Sequence, residues 1–344
     1  MDVKSINLKN CPCGQDHPII NMKVEIGRGL LSKTAEILEG FPKKILVVAD
    51  KNTLAASEGL LDVLKAGGFS YGLHCYDNCT EADIEMVKEM EKLAGPYDGV
   101  LAVGTGSIGD ICRLAAFNTK KEFAIFATAP SMDGFASFAS PICFNNVKQT
   151  VPCAAPSIII GDTDILAKSP SELKSAGFGD VIAKYIALVE WKIASLVAGE
   201  HFCPGVHGLV KDVLEKTVAL ADDVTKEEPE AAGALMEALV LAGICMTLAN
   251  TTRPASGAEH LLSHYWEMRI LQSGGPMPFH GTKVGVGTVL ITRLYHDIAD
   301  GKLGQPIFKK DEVDLDAVYD HFGPALREKI DEINNPPFTS KVSL

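Results

Sequence analysis

Asp98-Gly-Val-Leu-Ala-Val-Gly-Thr-Gly-Ser-Ile-Gly-Asp110 contains, in one short stretch, the repeating unit of the fold. Between Asp98 and Gly104 every side chain is apolar, the mark of a strand buried on both faces. Glycines then turn the chain directly into a helix predicted over residues 108–118. Working outward, Lys44-Ile-Leu-Val-Val-Ala-Asp50 is a second buried strand with Asp50 at its C-terminal end. Residues 71–75 and 123–128 read as further strands. After N-terminal strand-like pieces, helices are predicted over 25–41, 52–66 and 81–94. Strand and helix alternating at this pace specify a parallel, Rossmann-like sheet with helices on both faces.

Beyond Ser137 the pattern changes. Pro141, Asn145-Asn146, Pro152 and Pro156 punctuate short extended pieces, predicting a hairpin followed by an edge strand. From Ser169 onward the spacing is helical, over 181–197, 206–221, 231–248, after His260, after Lys283, and over 311–322 and 325–333. The expected architecture is a nucleotide-binding α/β domain over residues 1–165 and an all-helical metal- and substrate-binding domain over 166–344, with the ligand between them.

A chain of 344 residues is long enough for two cores, and 47% hydrophobic with 22% charged residues is ordinary globular composition. The formal net charge of -12 argues against nucleic acid or an anionic membrane as partner. It leaves a small anionic ligand open, because a local cation cluster can oppose the global sign. No signal-peptide pattern or long charge-free run stands out, so a cytoplasmic location is expected. Nine cysteines, among them Cys112, Cys143 and Cys245 in apolar surroundings, suit reduced, buried thiols. Cys11-Pro12-Cys13-Gly14 with His17 offers metal donors but no matching second pair of cysteines. A turn near a loosely held N-terminus is the expectation there.

Chemistry concentrates at a few junctions. Val103–Asp110 matches G-x-G-x-x-G, and glycines there bring backbone amides and a helix N-terminus close to a phosphate. A tight turn needs glycine for steric reasons too, but the Thr105 and Ser107 hydroxyls add donors that a turn alone does not require. The next strand-to-helix junction, residues 127–137, gathers Thr128, Ser131, Asp133 and Ser137 at the strand end where open sheets bind ligands; ordinary turn capping is the alternative. Gly177-Phe-Gly-Asp180 opens a long apolar helix, with Asp180 either its cap or a metal ligand. In Arg253–Met268, Ser256 and Glu259 have capping-box spacing, and Pro254 precedes them. On that helix His260 and His264 lie one turn apart on the same side. His280 sits in a loop before a helical run starting near Lys283. One carboxylate and two imidazoles leave coordination positions open, as a catalytic ion requires; ordinary polar histidines are the alternative.

Five ordered motifs carry a resemblance. They are Gly-Thr-Gly-Ser-Ile-Gly-Asp, Thr-Ala-Pro-Ser-Met-Asp-Gly, Gly-Asp-Val-Ile-Ala-Lys, Ser-Gly-Ala-Glu-His-Leu-Leu-Ser-His and His-Gly-Thr-Lys-Val-Gly-Val-Gly-Thr, between Asp50 and Thr288. Together they resemble the sn-glycerol-1-phosphate dehydrogenases, within the superfamily of iron-containing alcohol dehydrogenases, glycerol dehydrogenases and dehydroquinate synthases. The resemblance implies a dehydroquinate synthase-like fold and a metal bound by Asp180, His260 and His280: zinc first, nickel or iron as alternatives. It implies that Asp133 and His264 serve catalysis and that Asp133, His264 and Asp180 face the substrate. NAD(H) or NADP(H) would be lined by Gly106, Ser107, Ile108, Gly109 and Asp110, by Thr128, Ala129, Pro130 and Ser131, and by Ser137; Asp50 is a weaker candidate for the adenosine ribose.

The implied reaction reduces dihydroxyacetone phosphate reversibly to sn-glycerol 1-phosphate. The metal would polarise the ketone, and His264 or water would supply the proton. Lys184, Arg253 and Lys283 lie near the motifs as candidate phosphate ligands. The partner is then a small phosphorylated substrate, and a homo-oligomer is expected. A polyol dehydrogenase, a dehydroquinate-synthase-like lyase and a non-enzymatic metal- or nucleotide-binding protein are the rival readings.

Overall fold

Buried apolar strands need cover on both faces, and the chain supplies it. The computed structural model describes residues 3, 6, 8–144, 147–305 and 314–333. Its first half comprises β1 (Lys23–Gly27), α1 (Thr34–Ile37), β2 (Lys44–Asp50), α2 (Lys51–Ala56), α3 (Leu60–Ala66), β3 (Ser70–Tyr76), α4 (Ile84–Ala94), β4 (Gly99–Gly104), α5 (Gly106–Asn118) and β5 (Glu122–Ala127). A 3-10 turn at Asp133–Ala136, the pair β6 (Ala139–Phe144) and β7 (Val147–Pro152), and β8 (Ile158–Asp162) follow. Then come helices: α6 (Thr163–Lys168), α7 (Ser171–Ile182), α8 (Lys184–Ala198), α9 (Pro204–Val218), α10 (Pro229–Ala249), α11 (Ala258–Ser273), α12 (His280–Ala299), α13 (Leu315–Phe322) and α14 (Arg327–Ile333).

Six strands form one parallel sheet in the order β1-β8-β5-β4-β2-β3. Alternation decides which face each side chain covers. Leu46, Val48, Val100, Ala102 and Ile125 meet α4, α5 and α10, whereas Ile45, Val47, Leu101, Val103 and Phe126 meet α1 and α3. Strand order reverses between β2 and β4, so the crevice above their C-terminal ends is the expected ligand position.

Three elements differ from expectation. Residues 25–41 do not form one helix: Val24-Glu25-Ile26 extends as β1 beside β8, and only Thr34–Ile37 is α-helical. The strand at 158–162 is consequently interior, flanked by β1 and β5, and the edge is β1 itself. The helix predicted over 52–66 breaks into α2 and α3 around Ser57–Gly59. The predicted hairpin forms as an antiparallel pair; its Asn145-Asn146 turn, and residues 311–313 of the helix expected over 311–322, lie outside the described residues.

α10 has the length and composition to cross a bilayer, with mean hydropathy 1.9 over its most apolar window. That window is 83% buried inside the protein, so core contacts and not lipid cover it.

Candidate active site

β4 is buried along its whole length and delivers Thr105 as the N-cap of α5. The Thr105 side chain makes no capping bond, so the first-turn amides of α5 stay available to an anion at the sheet's C-terminal edge. The neighbouring β5 leads into Thr128, whose amide donates to the Gly104 carbonyl at 3.2 Å. Thr128, Ala129, Pro130 and Ser131 are buried beside the turn. Among the predicted cofactor residues, Ser107 donates its hydroxyl to the Thr80 carbonyl at 3.0 Å, and Ser137 Oγ accepts from the Ala139 amide at 3.0 Å. The Asp110 carboxylate turns inward to Arg113 at 2.9 Å, and burial raises it to about 6 despite that cation. Asp50, at the end of β2, spends its carboxylate on capping α2 through the Thr53 amide at 2.8 Å. What the turn offers a phosphate is therefore mainly backbone.

Asp180 lies inside α7, not at a helix start, because the helix begins nine residues earlier at Ser171. Helices α7 and α12 cross on a glycine seam: a Cβ on Gly281 would sit 1.9 Å from the Ala176 carbonyl oxygen. On the same helix α7, a Cβ on Gly177 would sit 1.9 Å from the Pro130 carbonyl oxygen. The seam thus locks Asp180 against both His280 and the loop after β5. Replacing Gly281 by Ala is expected to push α12 off α7, costing about 1–3 kcal/mol of stability and loosening His280 from Asp180. Thermal denaturation and metal content measure both effects, and unchanged values would mean the seam does not position the site.

His280 opens α12 itself. α11 starts at Ala258 with Gly257 as its N-cap, so Ser256 is not the cap that the spacing suggested. Glu259 nevertheless reaches back: its Oε1 accepts from the Gly257 amide at 2.8 Å and contacts His260 Nδ1 at 2.8 Å. Glu190 Oε2 accepts the next amide, Ala258, at 3.0 Å. These contacts turn His260 Nε2 toward Asp180 Oδ1, at 3.5 Å.

One donor atom each from Asp180, His260 and His280 lies within 4.8 Å of the others. Tetrahedral ligands at roughly 2.0–2.1 Å from an ion stand about 3.3–3.4 Å apart, so the Asp180–His260 separation fits one. A carboxylate behind a ligating imidazole is the usual support of such a centre, and Glu259 stands behind His260. The donor set fits a divalent ion. Burial works against charge on Asp180, but Lys184 and His260 hold its carboxyl well below the usual range.

The profile of the iron-containing alcohol dehydrogenase family matches residues 25–170. A curated glycerol-1-phosphate dehydrogenase [NAD(P)+] of Halalkalibacterium halodurans is 36% identical over 306 residues, spanning 85% of this chain and 75% of its own length. The chain belongs to the glycerol-1-phosphate dehydrogenase family. A family relative of the same name from Methanosarcina barkeri is 29% identical, over 83% of this chain and 81% of its own. Among solved structures, glycerol dehydrogenase from Schizosaccharomyces pombe shares the fold at TM-score 0.65 and 22% identity, covering 82% of this chain and 73% of that one. The fold is that of the iron-containing alcohol dehydrogenase and glycerol dehydrogenase group.

In this member of the glycerol-1-phosphate dehydrogenase family, the cations near the motifs part company. Lys184 is buried between Asp133 Oδ2 at 2.6 Å and Asp180 Oδ1 at 2.9 Å, which keeps it charged and consumes it. Arg253 is engaged by both oxygens of Glu200 at 2.7 and 2.9 Å. Lys283 stands 3.2 Å from Glu267 Oε1, where Lys148 also arrives at 3.3 Å. His264 Nδ1 meets the other oxygen of Glu267 at 3.3 Å, and His280 Nδ1 lies 3.4 Å from Oε1. Burial opposes the charge on Glu267, but these imidazoles and Lys148 hold it far below the ordinary carboxylate range.

The ring centres of His260, His264 and His280 are 5.5–6.3 Å apart, so the three histidines lie together. Asp133 joins them through its amide, which donates to Asp180 Oδ2 at 2.9 Å. Glu259, Glu267 and Lys148 were not anticipated. Glu267, three residues after His264 on one helix face, was discoverable from spacing; Lys148, on β7, was not.

Proposed function

We propose that the protein interconverts dihydroxyacetone phosphate and sn-glycerol 1-phosphate, using NAD(H) or NADP(H) and a divalent ion at Asp180, His260 and His280. The observation that carries the phosphate half is the convergence of Lys148 and Lys283 on one buried carboxylate beside His264 and His280. The names of relatives at 36% identity support the reaction class. One carboxylate with two imidazoles suits zinc, with nickel or iron as alternatives.

A bound ion there supplies Lewis acidity at the ketone oxygen. The α5 turn (Gly106, Ser107, Ile108, Gly109, Asp110) and the strip Thr128, Ala129, Pro130, Ser131 and Ser137 hold the dinucleotide, its pyrophosphate on first-turn amides. Lys184 holds the Asp133 and Asp180 carboxylates in place from between them, leaving Asp133 facing the substrate. Glu267 engages His264 Nδ1, so Nε2 is the atom placed to exchange a proton with substrate oxygen. The division at residue 165/166 puts the dinucleotide on one side and the metal ligands on the other. Exposed Tyr185, Val189 and Ile193 on α8, with Val286 and Val289 on α12, support a homo-oligomer. A cytoplasmic location completes the reading.

Oxidation of NADH and NADPH with dihydroxyacetone phosphate and with dihydroxyacetone at matched concentrations tests this function, followed by stereospecific assay of the product. Higher efficiency with the phosphorylated ketone and formation of the 1-phosphate are expected. Equal efficiency would move the protein to polyol oxidation, and the 3-phosphate would refute the stereochemistry.

His264 is separable from the ligands. His264→Ala is expected to keep its metal while losing rate by about a hundred- to ten-thousandfold, the usual worth of a general acid–base group. Elemental analysis beside turnover decides it; loss of the ion would make His264 a ligand.

A further inference from the structure

Cys11 and Cys13 do not end as part of a loose turn. Cys203, 192 residues later than Cys11, stands at the N-cap of α9 with its Sγ 3.4 Å from Cys11 Sγ. His17 Nε2 lies 3.2 Å from Cys13 Sγ and 3.5 Å from Cys203 Sγ. All four donor atoms fall within 4.8 Å of one another. Three sulfurs at roughly 2.3 Å and one nitrogen at roughly 2.0 Å from a tetrahedral ion would stand about 3.5–3.8 Å apart. The observed separations are near those edges, while a disulfide would need about 2.05 Å.

The imidazole orientation is the second observation. His17 Nδ1 lies 2.8 Å from the Leu248 carbonyl oxygen, near the end of α10. A carbonyl only accepts, so Nδ1 carries the proton and the Nε2 lone pair faces the sulfurs. The Val206 amide, in the first turn of α9, donates to Cys203 Sγ at 3.4 Å and fixes the direction of the sulfur. Four soft donors leave no open position, which is the pattern of a structural ion and not a catalytic one.

We propose that Cys11, Cys13, His17 and Cys203 hold a second divalent ion of the zinc class, closed to substrate, that fastens the N-terminal segment to α9 and α10. The sequence offered only three of these ligands because the fourth is contributed by the tertiary fold. The ion stabilises by binding the folded chain alone, since the unfolded chain does not preassemble the site.

The test uses the full chain purified with zinc under reducing conditions. Two ions per chain are expected, with X-ray absorption giving an average of three sulfur neighbours per two ions. His260→Ala, which disables the other cluster, should retain one ion with three sulfurs and one nitrogen around it. Cys13→Ser should lose that ion and melt at lower temperature, while the ion at Asp180 and turnover persist at low temperature. Absorption spectra with only nitrogen and oxygen neighbours would overturn the proposal, as would a Cys11–Cys203 disulfide found by mass spectrometry. Should Cys13→Ser fail to fold, the wild-type and His260→Ala spectra still decide.

Discussion

Removal of the ion at Asp180, His260 and His280 is expected to abolish NAD(P)H turnover, and a stoichiometric divalent ion to restore it. Lewis-acid stabilisation of a developing alkoxide is worth several kcal/mol, and about 1.4 kcal/mol is tenfold in rate, so a loss of roughly a thousandfold or more is expected. His260→Ala and His280→Ala should each lose one ion per chain together with activity, which distinguishes this centre from the cysteine cluster. Metal uptake should also depend on pH. In the ion-free protein, burial disfavours the charged His260, but hydrogen bonds to Asp180 and Glu259 prevail and raise it to about 9. Below that pH the ion must displace a proton, so affinity should weaken about tenfold for each unit of acidification and level off above it. The same shift stabilises the ion-free fold at neutral pH, and that contribution fades as pH rises through 9. Full activity in protein shown by elemental analysis to be metal-free would end the reading.

Lys148→Ala and Lys283→Ala should erase the preference for a phosphorylated ketone while leaving the reaction itself in place. A charge-assisted hydrogen bond to phosphate contributes about 1.5–3 kcal/mol, so each substitution should lower kcat/KM for dihydroxyacetone phosphate by roughly ten- to 150-fold. Efficiency with dihydroxyacetone should change little, because that ketone has no phosphate to lose. Lys283 is buried against Glu267, and its removal leaves that carboxylate with fewer partners; Lys283→Met, with metal content measured alongside, controls for collapse of the site. An unchanged ratio between the two ketones in both variants would place the phosphate elsewhere.

The parallel sheet was legible because β2, β4 and β5 are short, uniformly apolar runs bounded by polar or glycine residues. β1 was legible only as an N-terminal extended piece cut off at Glu25, because it is an edge strand only half covered and its Val24-Glu25-Ile26 alternation is too short to outweigh the helix-forming residues after it. The metal residues were readable as types and spacings. What held them there was not: the contact of Gly281 with Ala176 and the use of Lys184 by two carboxylates are properties of helices meeting in space. The cysteine cluster shows the same limit, for Cys203 carries no local sign of belonging with Cys11 and Cys13.

The β6–β7 hairpin stands apart from the six-stranded sheet as its own two-stranded unit, and Lys148 rides on it opposite Cys143. Its base is fixed by Arg113, which donates to the Ala139 carbonyl at 3.1 Å, and its far end by the Cys143 amide, which donates to the Ala82 carbonyl at 2.8 Å. No metal ligand lies on it. On the proposed function, half of the phosphate grip is therefore a graftable trait: variation confined to the outer strand can retune the share carried by Lys148, while Lys283 stays on α12 with His280.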